Sequence, residues 1–374
     1  MSWLGQLGDV VLMTDILVIK TGALGDVLRT TAILPGLQAR FRDVRVTWLT
    51  APAAGPLVTG HPLVSHVVTC RPDDAASMRE VAADLGKRRW QWVLSLDDEQ
   101  PLCALAAGLD AATLSGATLD DTGQRVYTDD VEPWFGMGLL ARDGKAAADQ
   151  RKVNNQRTHP AIFADMLAIE AGRPVLPLSS EALAGAHAFA QARGMFDDEL
   201  VVGLNTGAGG RWASKGLPPA RVVEFAAQFT AAQGRSVHYL VLGGPDERSR
   251  NDELLAGINA LGDGSRAIDA GTDNDLLSFA ARLALSDVLV TSDSLALHLG
   301  LATQTRLVAF FAPTSAAEIE LYELGEKVVS TAPDYCSYRP DADNSSITAA
   351  RLVAAAGRVI QLPRQGIQRA ARRG

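Results

Sequence analysis

The chain contains 374 residues, 47% of them hydrophobic, and carries a net charge of -8 at pH 7. This length exceeds what one ordinary hydrophobic core accommodates, so we expect two domains. The acidic balance argues against a general nucleic-acid-binding protein, which would normally present a basic face.

The cysteines and the apolar segments indicate the compartment. Cys70, Cys103 and Cys336 are widely separated and form no CxxC pair, which favours a reducing environment. The first residues include Asp9 and no early Lys or Arg, so they make a poor secretion signal. No apolar run reaches the length of about 18 residues that spans a bilayer. We therefore expect a soluble, cytoplasmic protein, which could work beside a membrane.

The first strong pattern is the apolar run at residues 16–19, typical of a parallel strand covered on both faces. Gly22 and Gly25 follow it and allow a tight turn whose backbone approaches a ligand. Asp26 then falls in the first turn of a helix. Ligands of open α/β sheets collect at the carboxyl ends of strands, so this carboxylate is placed to take a proton from a substrate. An acid that only stabilises the helix dipole is the alternative.

The first half continues as alternating helices and strands, which predicts a doubly wound sheet. We expect a helix over residues 26–41 that Pro35 bends or interrupts. The further elements predicted here are strands at 44–49, 67–69 and 92–96 and a helix at 78–87. Asp97, Asp98 and Glu99 end the last of these strands, and we interpret them as a solvated turn rather than a metal site.

Periodicity weakens over residues 120–156, which predicts a long and partly ordered excursion, and a helix follows at 160–171. Residues 173–180, with two prolines, form the best linker candidate. We therefore predict a first domain at 1–178 and a second at 179–345. Residues 346–374 should form a helix returning toward the first domain and a basic, frayed tail.

The second half repeats the rhythm more clearly and predicts a second doubly wound sheet. Its predicted strands are residues 200–205, 237–242, 267–269, 288–291 and 307–311. Its predicted helices are residues 181–193, 218–233, 247–261, 274–285, 294–302 and 347–360. Two such halves would place a cleft between the carboxyl ends of both sheets.

The loop at residues 205–215 joins a strand to a helix and combines three glycines with a hydroxyl and two cations. Thr206, Gly207, Arg211 and Lys215 would hold an anion such as a diphosphate through backbone N–H groups and positive charge. The loop matches neither a Walker sequence nor GxGxxG followed by an acid. A flexible loop with solvated charges is the alternative.

Two further strand ends carry polar residues. Gly244 and Glu247 follow one strand, and Glu247 could bind ribose hydroxyls or simply favour its helix start. Asp293 and Ser294 follow another, where Asp293 could cap the helix or bind sugar hydroxyls. His298 lies one turn further and could be a ligand contact or a packed core histidine. The other histidines show no metal-ligand spacing, and no metal site is predicted.

Taken together, these motifs resemble glycosyltransferase family 9, which contains the bacterial lipopolysaccharide heptosyltransferases. The resemblance covers most of the chain and rests on four motifs in the same order. These are residues 25–31 (GDVLRTT), the loop 205–215 ending in lysine, the turn 243–247 (GGPDE), and the block 286–298 (SDVLVTSDSLALH) followed by 311–314 (FAPT).

The resemblance implies a GT-B type fold, with two Rossmann-like domains facing each other across a cleft. It also implies an inverting, metal-independent transfer of a sugar, most often heptose from ADP-heptose, to a glycan or glycolipid acceptor. No cofactor is implied. By analogy Asp26 would be the general base, and Gly22 and Gly25 would belong to the acceptor-side loop. Lys215 and Thr206 would bind the donor diphosphate.

The analogy further assigns Glu247 to the ribose and Asp293 to the donor sugar. This chain has Asp293-Ser294-Leu295 where family members commonly carry Asp-Thr-Gly. Glycine would ease a backbone approach to the diphosphate, so donor choice stays open. A nucleotide-sugar epimerase of the same fold and a non-catalytic nucleotide-sugar-binding protein are the alternative functions. The work would take place in the cytoplasm or peripherally at the cytoplasmic face of the inner membrane.

Overall fold

A computed structural model of the protein describes residues 13–41, 43–138, 143–207, 209, 212–367 and 369. The chain divides into two compact units, each built from several segments. In the described residues, the first unit comprises 13–22, Ala32–Pro133 and Phe163–Gly172. The second comprises Ala23–Thr31, Trp134–Ile162 and the chain from Arg173 onward.

The strands, in chain order, are β1 (Thr14–Ile19), β2 (Val44–Thr50), β3 (His66–Thr69), β4 (Trp92–Ser95), β5 (Leu114–Leu119), β6 (Arg125–Tyr127), β7 (Leu200–Asn205), β8 (Val237–Val241), β9 (Ser265–Asp269), β10 (Val288–Ser292), β11 (Leu307–Phe311) and β12 (Gly325–Val329). The α-helices are α1 (Leu24–Thr30), α2 (Leu34–Arg40), α3 (Gly55–Val58), α4 (Ala75–Leu85), α5 (Gln100–Ala107), α6 (Glu132–Phe135), α7 (Lys145–Asn154), α8 (His159–Leu167), α9 (Ser180–Arg193), α10 (Pro219–Gln233), α11 (Arg248–Asn259), α12 (Leu276–Leu283), α13 (Leu295–Ala302) and α14 (Ala349–Val359).

The sheet of the first unit has the strand order β3-β2-β1-β4-β5-β6. Adjacent strands of this sheet are parallel, except that β6 pairs antiparallel with β5. Leu17, Ile19 and Val93 of the central strands are buried in its core. Strand order reverses between β1 and β4, which is where sheets of this type bind ligands.

The sheet of the second unit is entirely parallel, with the order β12-β11-β10-β7-β8-β9. Apolar residues of β7 and β10, including Val202 and Val290, pack with Phe225 and Phe229 of α10. Near-continuous apolar strands of this kind are expected when helices cover both faces. The reversal of strand order lies between β7 and β10.

The helix predicted over residues 26–41 is two helices. A 3-10 turn at Thr31–Ile33 separates α1 from α2, and Pro35 lies in the first turn of α2. Proline has no N–H to donate, and a helix needs no intrahelical acceptor for its first N–H groups, so the break precedes the proline. The break matters because it assigns α1, with Asp26, to the second unit.

The excursion predicted at 120–156 contains more regular structure than its sequence suggests. β6, α6 and α7 fall in it, while residues 139–142 lie outside the described part of the chain. Strands β5 and β12 and helix α5 were not predicted. Strand β12 at the sheet edge is only partly buried and has the mixed sequence GEKVV, which lacks the apolar run that marked its neighbours.

The C-terminal segment belongs to the second unit. The prediction was a helix returning toward the first domain; in the structure, Leu352, Ala356 and Val359 of α14 are buried in the core of the second sheet. The prediction of a frayed tail was wrong for the part of the tail that the structure describes. Arg369 is 2% exposed and donates to Asp287, as its neighbour Arg364 also pairs with Asp287. Within the described residues, no helix has the length and apolar character to cross a membrane.

Candidate active site

A cavity of about 760 Å³ lies in the second unit, at the carboxyl ends of four neighbouring strands. Its lining includes Gly243 after β8, Asn205 at the end of β7, Asp293 after β10 and Thr314 after β11. The cavity therefore crosses the point where strand order reverses, and its volume is in the range of small-molecule sites.

Helix α1 brings Asp26 to this cavity. Asp26 lies in the first turn of α1, and α1 packs against α13. The close approach depends on Gly25, because a Cβ there would lie 2.5 Å from His298 Cδ2. Arg29, one turn later in α1, places its Nη2 2.9 Å from Asp26 Oδ1. The predicted base and a guanidinium thus line the same cavity.

Lys215 and Asp293 form an ion pair in the cavity wall. Lys215 Nζ donates to the carbonyl oxygen of Asp293 at 2.7 Å and to its Oδ2 at 3.0 Å. Burial alone would raise the pKa of Asp293, but the Lys215 ammonium, which is the largest opposing influence, lowers it to about 2. Asp293 is therefore a carboxylate that fixes the lysine ammonium beside the glycine loop.

His298 of α13 is buried, with only 7% of its surface exposed. Burial first, and then the positive charge of Arg29, lower the pKa of His298 to about 4 despite the opposing effect of Asp293. The imidazole is consequently neutral at pH 7. It contacts α1 through Gly25, so packing accounts for its position.

The N-terminus of α13 opens on the cavity through Ser294, Leu295 and Ala296. The Ser294 side chain does not cap the helix; its hydroxyl donates to Asn205 Oδ1 at 3.4 Å. The first N–H groups of a helix have no acceptor within it, so this end of α13 offers donors and a positive dipole to an anion.

Glu247 closes the glycine loop from one side. Its carboxylate accepts hydrogen bonds from Gly244 N at 3.0 Å and from Gly209 N at 3.4 Å. A Cβ at Gly207 would lie 1.7 Å from Glu247 Oε1, so a larger residue there would require the Glu247 carboxylate to move away from the loop. Gly207, Gly244 and Glu247 all line the cavity, as a donor-binding role requires.

Comparison with known proteins decides the family. The model of glycosyltransferase family 9 (heptosyltransferase) matches residues 139–345, more than half of the chain. The chain belongs to glycosyltransferase family 9. It is a glycosyltransferase, as its motifs predicted. No curated protein sequence matches it.

Solved structures confirm the predicted GT-B type fold with two Rossmann-like parts. A family 9 glycosyl transferase from Veillonella parvula has a TM-score of 0.75 and 18% identity, covering 93% of this chain and 97% of its own. The ADP-heptose lipopolysaccharide heptosyltransferase II of E. coli has a TM-score of 0.62 and 17% identity, covering 93% and 99%. The E. coli heptosyltransferase WaaC with ADP-2-deoxy-2-fluoro heptose has a TM-score of 0.56 and 18% identity, covering 93% and 99%.

Thr206 and Gly22 are placed differently from the other predicted site residues of this family 9 chain that the structure describes. Thr206 is 2% exposed, and its hydroxyl accepts a hydrogen bond from Arg250 at 2.8 Å, so its side chain is engaged behind the loop. Gly22 is not among the described residues of the cavity wall, and a Cβ there would meet no atom within 4 Å. Arg211 lies outside the described residues.

Sequence reasoning missed two groups of cavity residues. The first follows strand β9 and consists of Thr272, Asn274, Leu276 and Phe279. The second lies at the opposite end of the strand series and consists of Arg29, Lys152, Glu318 and Tyr338. Only Arg29 had a signal, because it is three residues after Asp26 and so shares its helix face.

The structure corrects the interpretation of the acidic cluster after β4 as a solvated turn. Asp97 is 7% exposed, pairs with Lys20 and accepts from the Thr21 hydroxyl at 2.8 Å. Asp98 accepts from the Tyr127 hydroxyl at 2.9 Å. Asp97 and Asp98 are therefore hydrogen-bonded residues at the carboxyl end of β4, and of the three acids only Glu99 is exposed as a solvated turn requires. Among the described residues, no group of three or more His, Cys, Asp or Glu has a metal-binding arrangement.

Proposed function

We propose that this enzyme transfers heptose from ADP-heptose to a hydroxyl of lipopolysaccharide or another cell-surface glycan, with inversion and without a metal. One observation carries the proposal. A single cavity is lined by the carboxylate of Asp26 and by an anion-binding site, which consists of the Lys215 ammonium and the N-terminus of α13. Displacement of a nucleoside diphosphate by a hydroxyl requires these two functions.

The strand order supports one orientation of the donor. Neighbouring strands are about 4.8 Å apart, so the ends of β8, β7, β10 and β11 extend over roughly 15 Å. The nucleoside would lie after β8 and β9, between Phe279 and Glu247. The diphosphate would lie between β7 and β10, and the sugar after β10 and β11, beside Asp26.

The proposed reaction uses protein side chains and the backbone amides of α13. Asp26 takes the proton of the acceptor hydroxyl as its oxygen forms the new bond to the anomeric carbon. The bond from that carbon to the diphosphate oxygen breaks on the opposite face, which inverts the configuration. ADP leaves with the electron pair, and Lys215 and the α13 amides stabilise its charge. No resident cofactor takes part in this scheme.

The remaining roles follow from position. Glu247 would accept from the ribose hydroxyls, and Gly207 and Gly244 would let the backbone approach the phosphates. Asp293 would contact the donor sugar, and His298, neutral at pH 7, would support α1 behind Asp26. Thr206 and Arg211 are proposed to act on the diphosphate through the shape and charge of the loop.

The acceptor and the place of action are proposed from the family. The E. coli relative named as a lipopolysaccharide heptosyltransferase favours a lipid-linked glycan at the cytoplasmic face of the inner membrane. The described tail arginines do not supply the membrane contact in this proposal, because Arg364 and Arg369 are paired with Asp287.

Two measurements test the proposal. Thermal stabilisation by ADP, UDP, GDP and dTDP identifies the nucleotide, because a specific ligand raises stability by mass action; we expect ADP. Release of ADP from ADP-heptose should then depend on a glycan acceptor. Conversion of the donor alone to an isomer would support an epimerase, and tight donor binding with no release over a glycan panel would support a non-catalytic protein. Either result contradicts the proposal.

A further inference from the structure

Four side chains form a polar group in the cavity wall beyond the proposed nucleotide site. We define this Glu318 cluster as Arg29, Lys152, Glu318 and Tyr338, all of which line the cavity. Tyr338 donates its hydroxyl hydrogen to Glu318 Oε1 at 3.1 Å, and Lys152 Nζ lies 4.6 Å from the centroid of the Tyr338 ring. The cluster contains a carboxylate to which the mechanism above assigns no role.

Glu318 is a largely buried acid whose two carboxylate oxygens have different surroundings. Its side chain is 14% exposed, and burial raises its pKa, with Arg29 opposing the rise. Oε1 is occupied by the Tyr338 hydroxyl, whereas Arg29 Nη1 lies 4.0 Å from Oε2, beyond hydrogen-bonding distance. A carboxylate oxygen that is removed from water gains free energy from a further hydrogen-bond donor.

The backbone around Glu318 is fixed by the second unit. The Glu318 carbonyl accepts from His159 N at 2.8 Å. Nearby, Ala316 N donates to the Tyr335 hydroxyl at 2.9 Å, and the Ala316 carbonyl accepts from Lys327 Nζ at 2.7 Å. The carboxylate is therefore presented to the cavity by a braced segment, which is what a selective contact needs.

The position of Glu318 in the cavity indicates which part of a donor it would contact. Glu318 follows β11, the strand furthest from the nucleoside end of the cavity, on the same side as Asp26 and Asp293. An ionised carboxylate only accepts hydrogen bonds, and a sugar presents hydroxyl donors. In the donor orientation proposed above, the sugar is the part of the donor that reaches this end of the cavity.

We propose that Glu318, held by Tyr338, accepts a hydrogen bond from a hydroxyl of the donor sugar and determines which sugar is transferred. This inference rests on the proposed function, since it assumes a nucleotide-sugar donor in the cavity. The inference extends the proposed function by assigning the selectivity for the sugar to a residue of the segment after β11. Glu318 is a specificity-determining residue, and Asp26 remains the base.

The test separates sugar binding from nucleotide binding. Calorimetry without acceptor gives the dissociation constants of ADP and of ADP-heptose, and their ratio measures the contribution of the sugar. In Glu318→Gln, which keeps the shape and removes the charge, this ratio should fall roughly tenfold to a hundredfold, as expected for a hydrogen bond to a charged group. The affinity for ADP should stay unchanged, which also shows that the variant is folded.

Glu320→Gln is the matched control, because Glu320 lies two residues away and accepts from Tyr322 N at 2.9 Å outside the described cavity wall. It should leave the ratio unchanged. Tyr338→Phe, which frees Oε1 of Glu318, should lower the ratio less than Glu318→Gln does. If Glu318→Gln does not fold, Tyr338→Phe provides the test. In steady-state transfer, Glu318→Gln should raise the KM for ADP-heptose more than it lowers kcat.

The outcomes distinguish this inference from the proposed function. Wild-type binding of ADP-heptose with acceptor-dependent ADP release, combined with an unchanged ratio in Glu318→Gln and Tyr338→Phe, overturns the role of Glu318 and leaves the transferase function standing. A wild-type protein that binds neither ADP nor ADP-heptose overturns the proposed donor and, with it, this inference.

Discussion

Arg29 Nη2 lies 2.9 Å from Asp26 Oδ1, one turn along the same helix. The guanidinium also lies over the Trp134 ring, 4.9 Å from its centroid, and 4.0 Å from Glu318. The Asp26 side chain is 38% exposed, so the pair contributes only about 0.2–1 kcal/mol to stability. Its greater effect is geometric, because a stacked guanidinium fixes where the carboxylate of the proposed base points.

The first prediction concerns Asp26 itself. Asp26→Asn keeps the size of the side chain and removes its ability to take a proton. We expect acceptor-dependent ADP release to fall by about 10²- to 10⁴-fold, the usual contribution of a general base. Binding of ADP, measured by calorimetry, should not change, because the proposed phosphate contacts come from Lys215 and α13.

Asp252→Asn is the control, since Asp252 is an exposed carboxylate of α11. It should transfer sugar at the wild-type rate. If Asp26→Asn remains folded and retains full transfer activity, Asp26 is not the base.

The second prediction compares two glycines, Gly22 before α1 and Gly25 in the first turn of α1. Gly25→Ala would place its Cβ 2.5 Å from His298 Cδ2, whereas a Cβ at Gly22 meets no atom within 4 Å. Overpacking of this kind costs about 1–3 kcal/mol, so Gly25→Ala should lower the free energy of unfolding by that amount and displace α1. Gly22→Ala should change it by less than about 0.5 kcal/mol.

Urea unfolding of both variants and a transfer assay measure the difference. We expect Gly25→Ala to lose activity together with stability, because Asp26 adjoins the displaced residue. Equal stability of the two alanine variants would contradict the contact between α1 and α13.

Much of the fold could be predicted from local patterns. The strands at 200–205 and 307–311 coincide with β7 and β11, because short apolar runs bounded by polar residues leave little ambiguity. Strand β12 was missed because its sequence, GEKVV, is half polar; its place in the sheet comes from pairing with β11. Pairing between distant segments has no local signal.

The sequence predicted those site residues that directly follow a strand. Asp26, Lys215 and Asp293 each follow a recognisable strand, and the structure places all three in one cavity. Lys152 and Glu318 could not be found this way. Lys152 comes from α7, in the stretch expected to be only partly ordered, and Glu318 from an irregular segment between strands, so tertiary packing alone brings them together.

The third prediction concerns the leaving group. Lys215→Met removes the ammonium that lies beside the glycine loop and keeps much of the aliphatic stem. We expect the affinity for ADP to fall roughly tenfold to a hundredfold, the range for a charge-assisted hydrogen bond. The pKa of Asp293 should rise from about 2, because Lys215 is its main stabilising charge.

Lys152→Met is the matched control in the same cavity. It makes the same change of charge beside Tyr338, at the proposed sugar end. Calorimetry with ADP should therefore show a much smaller effect. An equal loss in both variants would mean that overall charge, rather than a diphosphate site at Lys215, governs binding.

The last prediction is a pH dependence of stability. The pKa of His298 is lowered from 6.5 to about 4, chiefly by burial, so the unfolded chain binds more protons than the folded chain between these values. Stability is therefore fully present above about pH 6.5 and is lost as the pH falls toward 4, by up to roughly 3 kcal/mol from this residue. His298→Asn should be less stable at pH 7 through lost packing, yet its stability should fall less steeply on acidification.

Urea unfolding at a series of pH values between about 4 and 7 measures that slope. Burial also lowers the pKa of His61, in the first unit, so His61→Asn should remove a separate part of the slope. Arg29→Gln provides the electrostatic check: Arg29 lowers the pKa of His298, so its removal should raise the titration midpoint of the His298 imidazole in NMR spectra. A midpoint near 6.5 in the wild-type protein would show that His298 is not buried against α1.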